Sequence, residues 1–153
     1  MTVVGYEGIE TALEDQMAES ALAKKMKLKA GCLATIINAP DKYLKELEPL
    51  PEKVKISQKL EKPSDWIQIF VKTKAELKTL FPKTLKFLKP ESMLWISFPK
   101  GTSKIQTDLT RDKGWEYLQT SDLKWLTLIS VNATWSAFAM RPYKPGEAKQ
   151  SFR

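Results

Sequence analysis

Histidine is absent from the 153-residue chain. Its absence excludes a Ser-His-Asp triad, a histidine-ligated metal centre and any histidine acid–base pair. Cysteine occurs once, as Cys32. Neither an internal disulfide nor a cysteine-rich zinc site can form, and the expected home is a reducing cytoplasm. Arginine is confined to positions 111, 141 and 153, which weakens a nucleic-acid reading, because bidentate contacts to phosphate and guanine favour arginine. No apolar run approaches the roughly 18 residues of a membrane-spanning helix, and the acidic start lacks the features of a secretory signal. No membrane partner is expected. The length suits about one domain with a real core.

Charge is present and unevenly placed. Glu7, Glu10, Glu14, Asp15 and Glu19 fall in a stretch without lysine or arginine, so residues 1–20 carry −5 of a total of +7. Residues 21–153 therefore carry +12, nearly all of it lysine. Such a field attracts nucleic acid, anionic membranes or phosphorylated metabolites. It is also what a solvated, lysine-coated surface looks like.

Ile9, Leu13, Met17, Ala21 and Leu22 recur at helical spacing and predict a helix over 9–27, ended by Gly31 in a left-handed conformation. Cys32–Ile37 is a short, continuous apolar run, the pattern of a strand buried on both faces, with Cys32 a small buried hydrophobe. After Asn38-Ala39-Pro40, Asp41 is placed to cap a short helix running to Leu50. Strands are expected at 54–58 and 66–71, a helix at 74–88 that Pro82 should bend or split, a strand at 93–98 and a helix at 108–119. Two β-rich runs, 123–131 and 134–141, flank Asn132-Ala133 and read as an antiparallel hairpin. This alternation predicts an α/β fold: three layers, with a mostly parallel sheet ending in an antiparallel hairpin. The expected organisation is an N-terminal helical extension over 1–28, an α/β domain over 29–143 and a flexible tail over 144–153.

In such a sheet, ligands sit outside the carboxyl ends of the strands. Three polar segments fall there: Asn38 to Asp41, Lys100 to Ser103, and Asn132 to Ser136, which includes Trp135, next to the hairpin turn. The middle segment offers Lys100 for charge, Gly101 for close backbone approach and hydroxyls on Thr102 and Ser103. With Thr107 or Asp108 capping the next helix, it suits a loose anion site, though its glycine spacing is not that of a P-loop. Trp135 is a candidate to stack on a ring, whereas Trp95, Trp115 and Trp125 suit the core. Asp108 and Asp112 stand one helical turn apart, without a partner base. No metal site and no catalytic set are expected.

From Asp65 to Tyr143 the chain resembles the later half of a class I methyltransferase. The likeness is carried by Asp65-Trp66-Ile67-Gln68, by the Leu88-Lys89-Pro90-Glu91-Ser92 turn into Leu94-Trp95-Ile96, and by the terminal hairpin. It implies a Rossmann-like sheet and, as one reading, S-adenosylmethionine chemistry. The glycine-rich loop of that family is missing, because Asn38-Ala39-Pro40-Asp41 follows the first strand and the second runs into Gln58-Lys59. On that ground no cofactor is expected. From Ala21 to Arg141 the chain also resembles a family of small bacterial proteins of unassigned function. The shared phrases include Lys29-Ala30-Gly31, Asn38-Ala39-Pro40, Pro99-Lys100-Gly101, Thr107-Asp108-Leu109-Thr110 and Thr134-Trp135-Ser136. Ala137 stands where that family is expected to have glycine, and Asn132 where it is expected to have aspartate. Three functions stay open: a module binding a small anionic or nucleotide-like ligand at the strand carboxyl ends; a divergent S-adenosylmethionine-dependent methyltransferase; and a basic protein holding nucleic acid or an acidic partner.

Overall fold

The structure is a computed structural model, which describes residues 19–119 and 121–150. Most of the helix expected over 9–27 lies outside these residues. Among the described residues the helix is only α1, Ala21–Lys25: Ser20 is extended and caps it, so it does not run on through residues 19 and 20 as expected. The described residues divide into two units, one holding residues 19–32 together with Pro40–Lys55, the other Leu33–Ala39 and the described residues from Ile56 onward.

In the first unit, Ser20 joins α1 to α2, Tyr43–Leu47. Its hydroxyl accepts the Ala23 N–H at 2.9 Å as an N-cap and donates to the Leu47 carbonyl at 2.7 Å. Its own N–H reaches the Pro49 carbonyl at 2.8 Å. Ala23, Met26, Leu28, Tyr43 and Leu47 are fully buried, and the Tyr43 hydroxyl donates to Met26 Sδ at 3.5 Å. Gly31 takes the expected left-handed angle, φ 79°. Contrary to the expectation from sequence, Asp41 does not cap α2: the capping position falls on Lys42, at φ 68°, with no side-chain cap. Cys32 precedes the first strand and is half-buried, not enclosed within it.

The second unit is built on a six-stranded sheet in the order β2-β1-β3-β4-β6-β5. Its strands are β1 Leu33–Ile37, β2 Lys55–Ser57, β3 Ser64–Phe70, β4 Leu88–Pro99, β5 Leu123–Ser130 and β6 Trp135–Pro142. β1, β3 and β4 run parallel, with Ile37 beside Ile69 and Ile69 beside Ile96. β6 is antiparallel to both β4 and β5. The mostly parallel sheet with an antiparallel end is therefore present. β4 begins five residues earlier than expected. Ser92 permits this, because its hydroxyl accepts the Lys89 N–H at 2.7 Å and donates to the Ser64 carbonyl at 2.5 Å, which stitches the irregular start onto β3.

Apolar side chains of β3 and β4 fill both faces of the sheet centre, as parallel strands require. The polar groups buried among them are paired. Thr35 and Ser64 share a hydrogen bond of 2.7 Å, and Gln68 Nε2 donates to Ser97 Oγ at 2.9 Å. Helix α3, Lys74–Leu85, packs Leu77 and Phe81 into the core. Pro82 neither splits nor ends it: its missing N–H forfeits the bond to the Lys78 carbonyl, but it stands in the last turn, so only three helical residues follow it. Phe98, Trp115, Trp125 and Phe138 form an aromatic cluster with ring centroids 4.9 to 6.1 Å apart.

The helix expected over 108–119 is reduced to α4, Glu116–Gln119. Local side chains outcompete helical bonding before it. Thr107 Oγ1 accepts the Leu109 N–H at 2.9 Å, Thr110 Oγ1 accepts the Lys113 N–H at 3.0 Å, and Trp115 Nε1 donates to the Thr110 carbonyl at 2.5 Å. The hairpin link is Val131–Thr134, longer than the two residues expected. Asn132 Oδ1 holds it by accepting the N–H groups of Thr134 and Trp135, both at 2.9 Å.

Candidate functional site

Because β1, β3 and β4 are parallel, the residues that follow them share one edge of the sheet. Asn38 and Lys100 therefore lie at the same end, as expected. They do not meet. Asn38 leaves β1 one residue past the Ile37–Ile69–Ile96 row, whereas Lys100 stands four residues past it and two strands across. At about 3.3 Å per residue and 4.8 Å per strand, that offset is roughly 10 Å in each direction.

The loop after β4 is tied to the hairpin. The Lys100 N–H donates to the Thr134 carbonyl at 2.8 Å and its ammonium donates to Ser130 Oγ at 2.5 Å. The Ser103 hydroxyl donates to the Lys100 carbonyl at 2.7 Å. Gly101 and Thr102 are exposed, and Gly101 has no left-handed angle. Ser136 is half-buried within β6, paired with Phe98 on one side and Ser130 on the other. Two expected roles are overturned here. Trp135 is 4 % exposed, with its ring set edge-on to Phe70 at 5.0 Å, so it fills the core and is not a stacking platform. Thr107 and Asp108 cap no helix of their own segment: Thr107 closes a local turn, and Asp108 Oδ1 accepts the Lys74 N–H at 2.7 Å, capping α3 from 34 residues away. Asp41 belongs to the first unit.

The topology reverses between β1 and β3, since β1 has β2 on one side and β3 leads to β4 on the other. Such a switch point opens a crevice at the carboxyl ends of the strands. A cleft of about 370 Å³ lies there, lined by Asn38, Ala75, Glu76, Thr79 and Leu80. Asn38 holds φ 60°, a left-handed angle that asparagine tolerates better than most residues other than glycine. The α3 wall is fixed by reciprocal capping. Thr73 Oγ1 accepts the Glu76 N–H at 3.1 Å, and Glu76 Oε1 accepts the Lys72 N–H at 2.6 Å. Of the residues expected at a site, only Asn38 lines this cleft. Glu76, Thr79 and Leu80 were not foreseen, although Thr73-x-x-Glu76 marks the start of the helix that carries them.

Two carboxylates with depressed pKa values lie elsewhere. Asp65 is held low by Lys89 at 2.5 Å and by the Leu33 N–H at 2.9 Å, at the amino ends of β1 and β3, opposite the cleft. Glu147 is held well below the carboxylate range by Arg141 first, then by the Lys144 N–H and Lys124. Among the described residues, no three His, Cys, Asp or Glu side chains gather to hold a metal, and no helix is long and apolar enough to cross a membrane.

No protein-family model matches the chain, and no curated protein sequence matches it. Solved structures do. DhpI in its complex with SAH is similar, with a TM-score of 0.56 at 9 % identity, over 90 % of this chain and 87 % of that one. A protein of the NADB-Rossmann superfamily from Streptococcus agalactiae is similar with a TM-score of 0.51 at 10 % identity, over 86 % and 71 %. A SAM-dependent methyltransferase from Aquifex aeolicus gives a TM-score of 0.48 at 17 % identity, over 82 % and 92 %. The fold is thus Rossmann-like. The expectation that no cofactor is needed is corrected by the first of these: a structure sharing this architecture over most of both chains holds SAH.

Proposed function

We propose that the cleft between Asn38 and α3 binds the adenosyl part of S-adenosylmethionine, and that the chain is a divergent methyltransferase of that cofactor. The observation that carries this reading is the left-handed Asn38 at the switch point, opening onto a cleft of a size that suits a small ligand. The lining fits the group. Leu80 and Ala75 give an apolar wall for a flat ring, and the Glu76 carboxylate keeps acceptor capacity for ribose hydroxyls beyond the one N–H it already takes. The Asn38 amide supplies both a donor and an acceptor at the mouth. Asn38 also adopts the angle for which a glycine is the usual choice, so the turn out of β1 is made without glycine. When bound, S-adenosylmethionine supplies an electrophilic methyl group. The chain's own contribution is to orient that ligand at the strand ends. This reading takes up the second of the three functions left open by the sequence, the divergent S-adenosylmethionine-dependent methyltransferase, in place of the non-catalytic binding module.

Titration calorimetry with S-adenosylmethionine and S-adenosylhomocysteine tests it. Saturable binding is expected, weakened in Asn38→Gly, which keeps the backbone angle and removes the amide. Glu76→Gln, which can still accept the Lys72 N–H, should weaken binding as well. Absence of binding at millimolar ligand, or affinity untouched by both changes, would sink the proposal.

A further inference from the structure

A second cleft, of about 420 Å³, lies against the opposite face of α3. It is lined by Lys74, Leu77 and Lys78 of the helix and by Gly114, Glu116 and Tyr117 of the segment entering α4. Lys74 and Lys78 are one helical turn apart and project on the same side, whereas Ala75, Glu76, Thr79 and Leu80 face the first cleft. Neither lysine forms an ion pair among the described residues, and both are exposed. Leu77, 1 % exposed, makes the floor. Gly114 lets the far wall fold close, since at φ 104° a Cβ there would stand 2.6 Å from Leu109 Cδ2. Tyr117 is 39 % exposed, yet its ring is set by edge contact with Phe81 at 6.1 Å. The cleft therefore joins a positioned aromatic face, two unpaired cations and one carboxylate around an apolar floor.

We infer that this cleft binds a nucleoside phosphate, with the base stacked on Tyr117 and the phosphate between Lys74 and Lys78. A simple anion would leave the aromatic face unused and would meet Glu116 as a repulsive neighbour. A nucleotide uses all of them: ring on Tyr117, phosphate on the lysines, ribose hydroxyls donating to Glu116. An α-helix about 10 Å thick separates this cleft from the first. A group held here therefore anchors a ligand at a distance, and the inference stands independently of the adenosyl site.

The test uses fluorescence anisotropy of the full chain with a fluorescein-labelled eight-residue oligouridylate, with UMP titrated in parallel by calorimetry. Binding of UMP shows a free nucleotide to be enough, and binding of the oligomer without UMP shows the nucleotide to be read within a strand; either supports the site. Tyr117→Leu should weaken binding at least about fivefold, as loss of base stacking does, whereas Tyr117→Phe should stay within about twofold. Lys74→Ala/Lys78→Ala should weaken binding and lower the log–log salt slope of the oligomer by about 0.7 for each phosphate that is no longer neutralised. Circular dichroism confirms that each variant is folded. No binding of either probe, or binding that Tyr117→Leu leaves intact, overturns the inference.

Discussion

Asn38 turns the chain out of β1 at φ 60°, Gly114 lets it fold onto Leu109 at φ 104°, and Gly101 adopts no such angle. These angles decide what each position accepts. Asn38→Val should lower unfolding free energy by about 1–3 kcal/mol, because a β-branched residue is strained there, while Asn38→Gly should cost far less. Gly114→Ala should cost more than about 1 kcal/mol, since the new methyl adds backbone strain to overlap with Leu109. Gly101→Ala should stay within about 0.5 kcal/mol, with no atom within 4 Å of the added carbon. Urea unfolding of the four variants checks all of this. A costly Gly101→Ala would mean that the loop after β4 is more constrained than its backbone shows. The sequence marks Gly101 as special by its neighbours, but whether a glycine is needed depends on φ, which its neighbours do not fix.

Helix α3 separates the two clefts, and its start is held from three directions: by Thr73, by Glu76 and by Asp108. Thr73→Ala should cost about 1 kcal/mol, the usual loss for an N-cap, read from the midpoint of denaturant unfolding. A second element shows how a local conflict is relieved. Lys124 of β5 and Arg141 of β6 stand directly opposite each other, an unfavourable pairing of like charges. The Glu147 carboxylate bridges them, accepting from Lys124 at 2.9 Å and from the Arg141 guanidinium at 2.8 and 2.9 Å. Gln150 adds two hydrogen bonds to the backbone of Trp125, so residues expected as a tail lie along the hairpin. The folded pKa of Glu147 is depressed. Its contribution is therefore full above the unfolded value of about 4.3 and is lost as pH falls through the folded one. Glu147→Gln should flatten the acid limb of stability against pH, and the difference from the parent should shrink in high salt. An unchanged acid limb would remove the clamp from the account.

For the whole molecule, the absence of histidine has a direct thermodynamic consequence. No side chain with an ordinary pKa near neutrality is present, and the described groups with resolved shifts move away from that range. Unfolding free energy should therefore be nearly flat between about pH 6 and 8 and fall below about pH 4, as Asp65 and Glu147 are forced to protonate. A melting series across that range, showing a step near neutrality, would contradict it.

Alternation of short apolar runs with helical segments was enough to predict a mostly parallel α/β sheet with an antiparallel end, because burial on both faces leaves its mark on every residue of a strand. Composition alone removed histidine-dependent catalysis. Tertiary structure decided the rest. The helix expected after residue 108 gave way to turns because threonine hydroxyls found backbone partners, and Asp108 went to cap a helix begun 34 residues earlier. Trp135 turned inward onto Phe70, and Lys100 was taken up by Ser130 and the hairpin. Glu76 entered a cleft with Asn38 because β1 and β3 lie side by side where the sheet reverses. Strand adjacency and the choice among hydrogen-bond partners are long-range outcomes. Local sequence sets which groups can bond, and packing sets which of them meet.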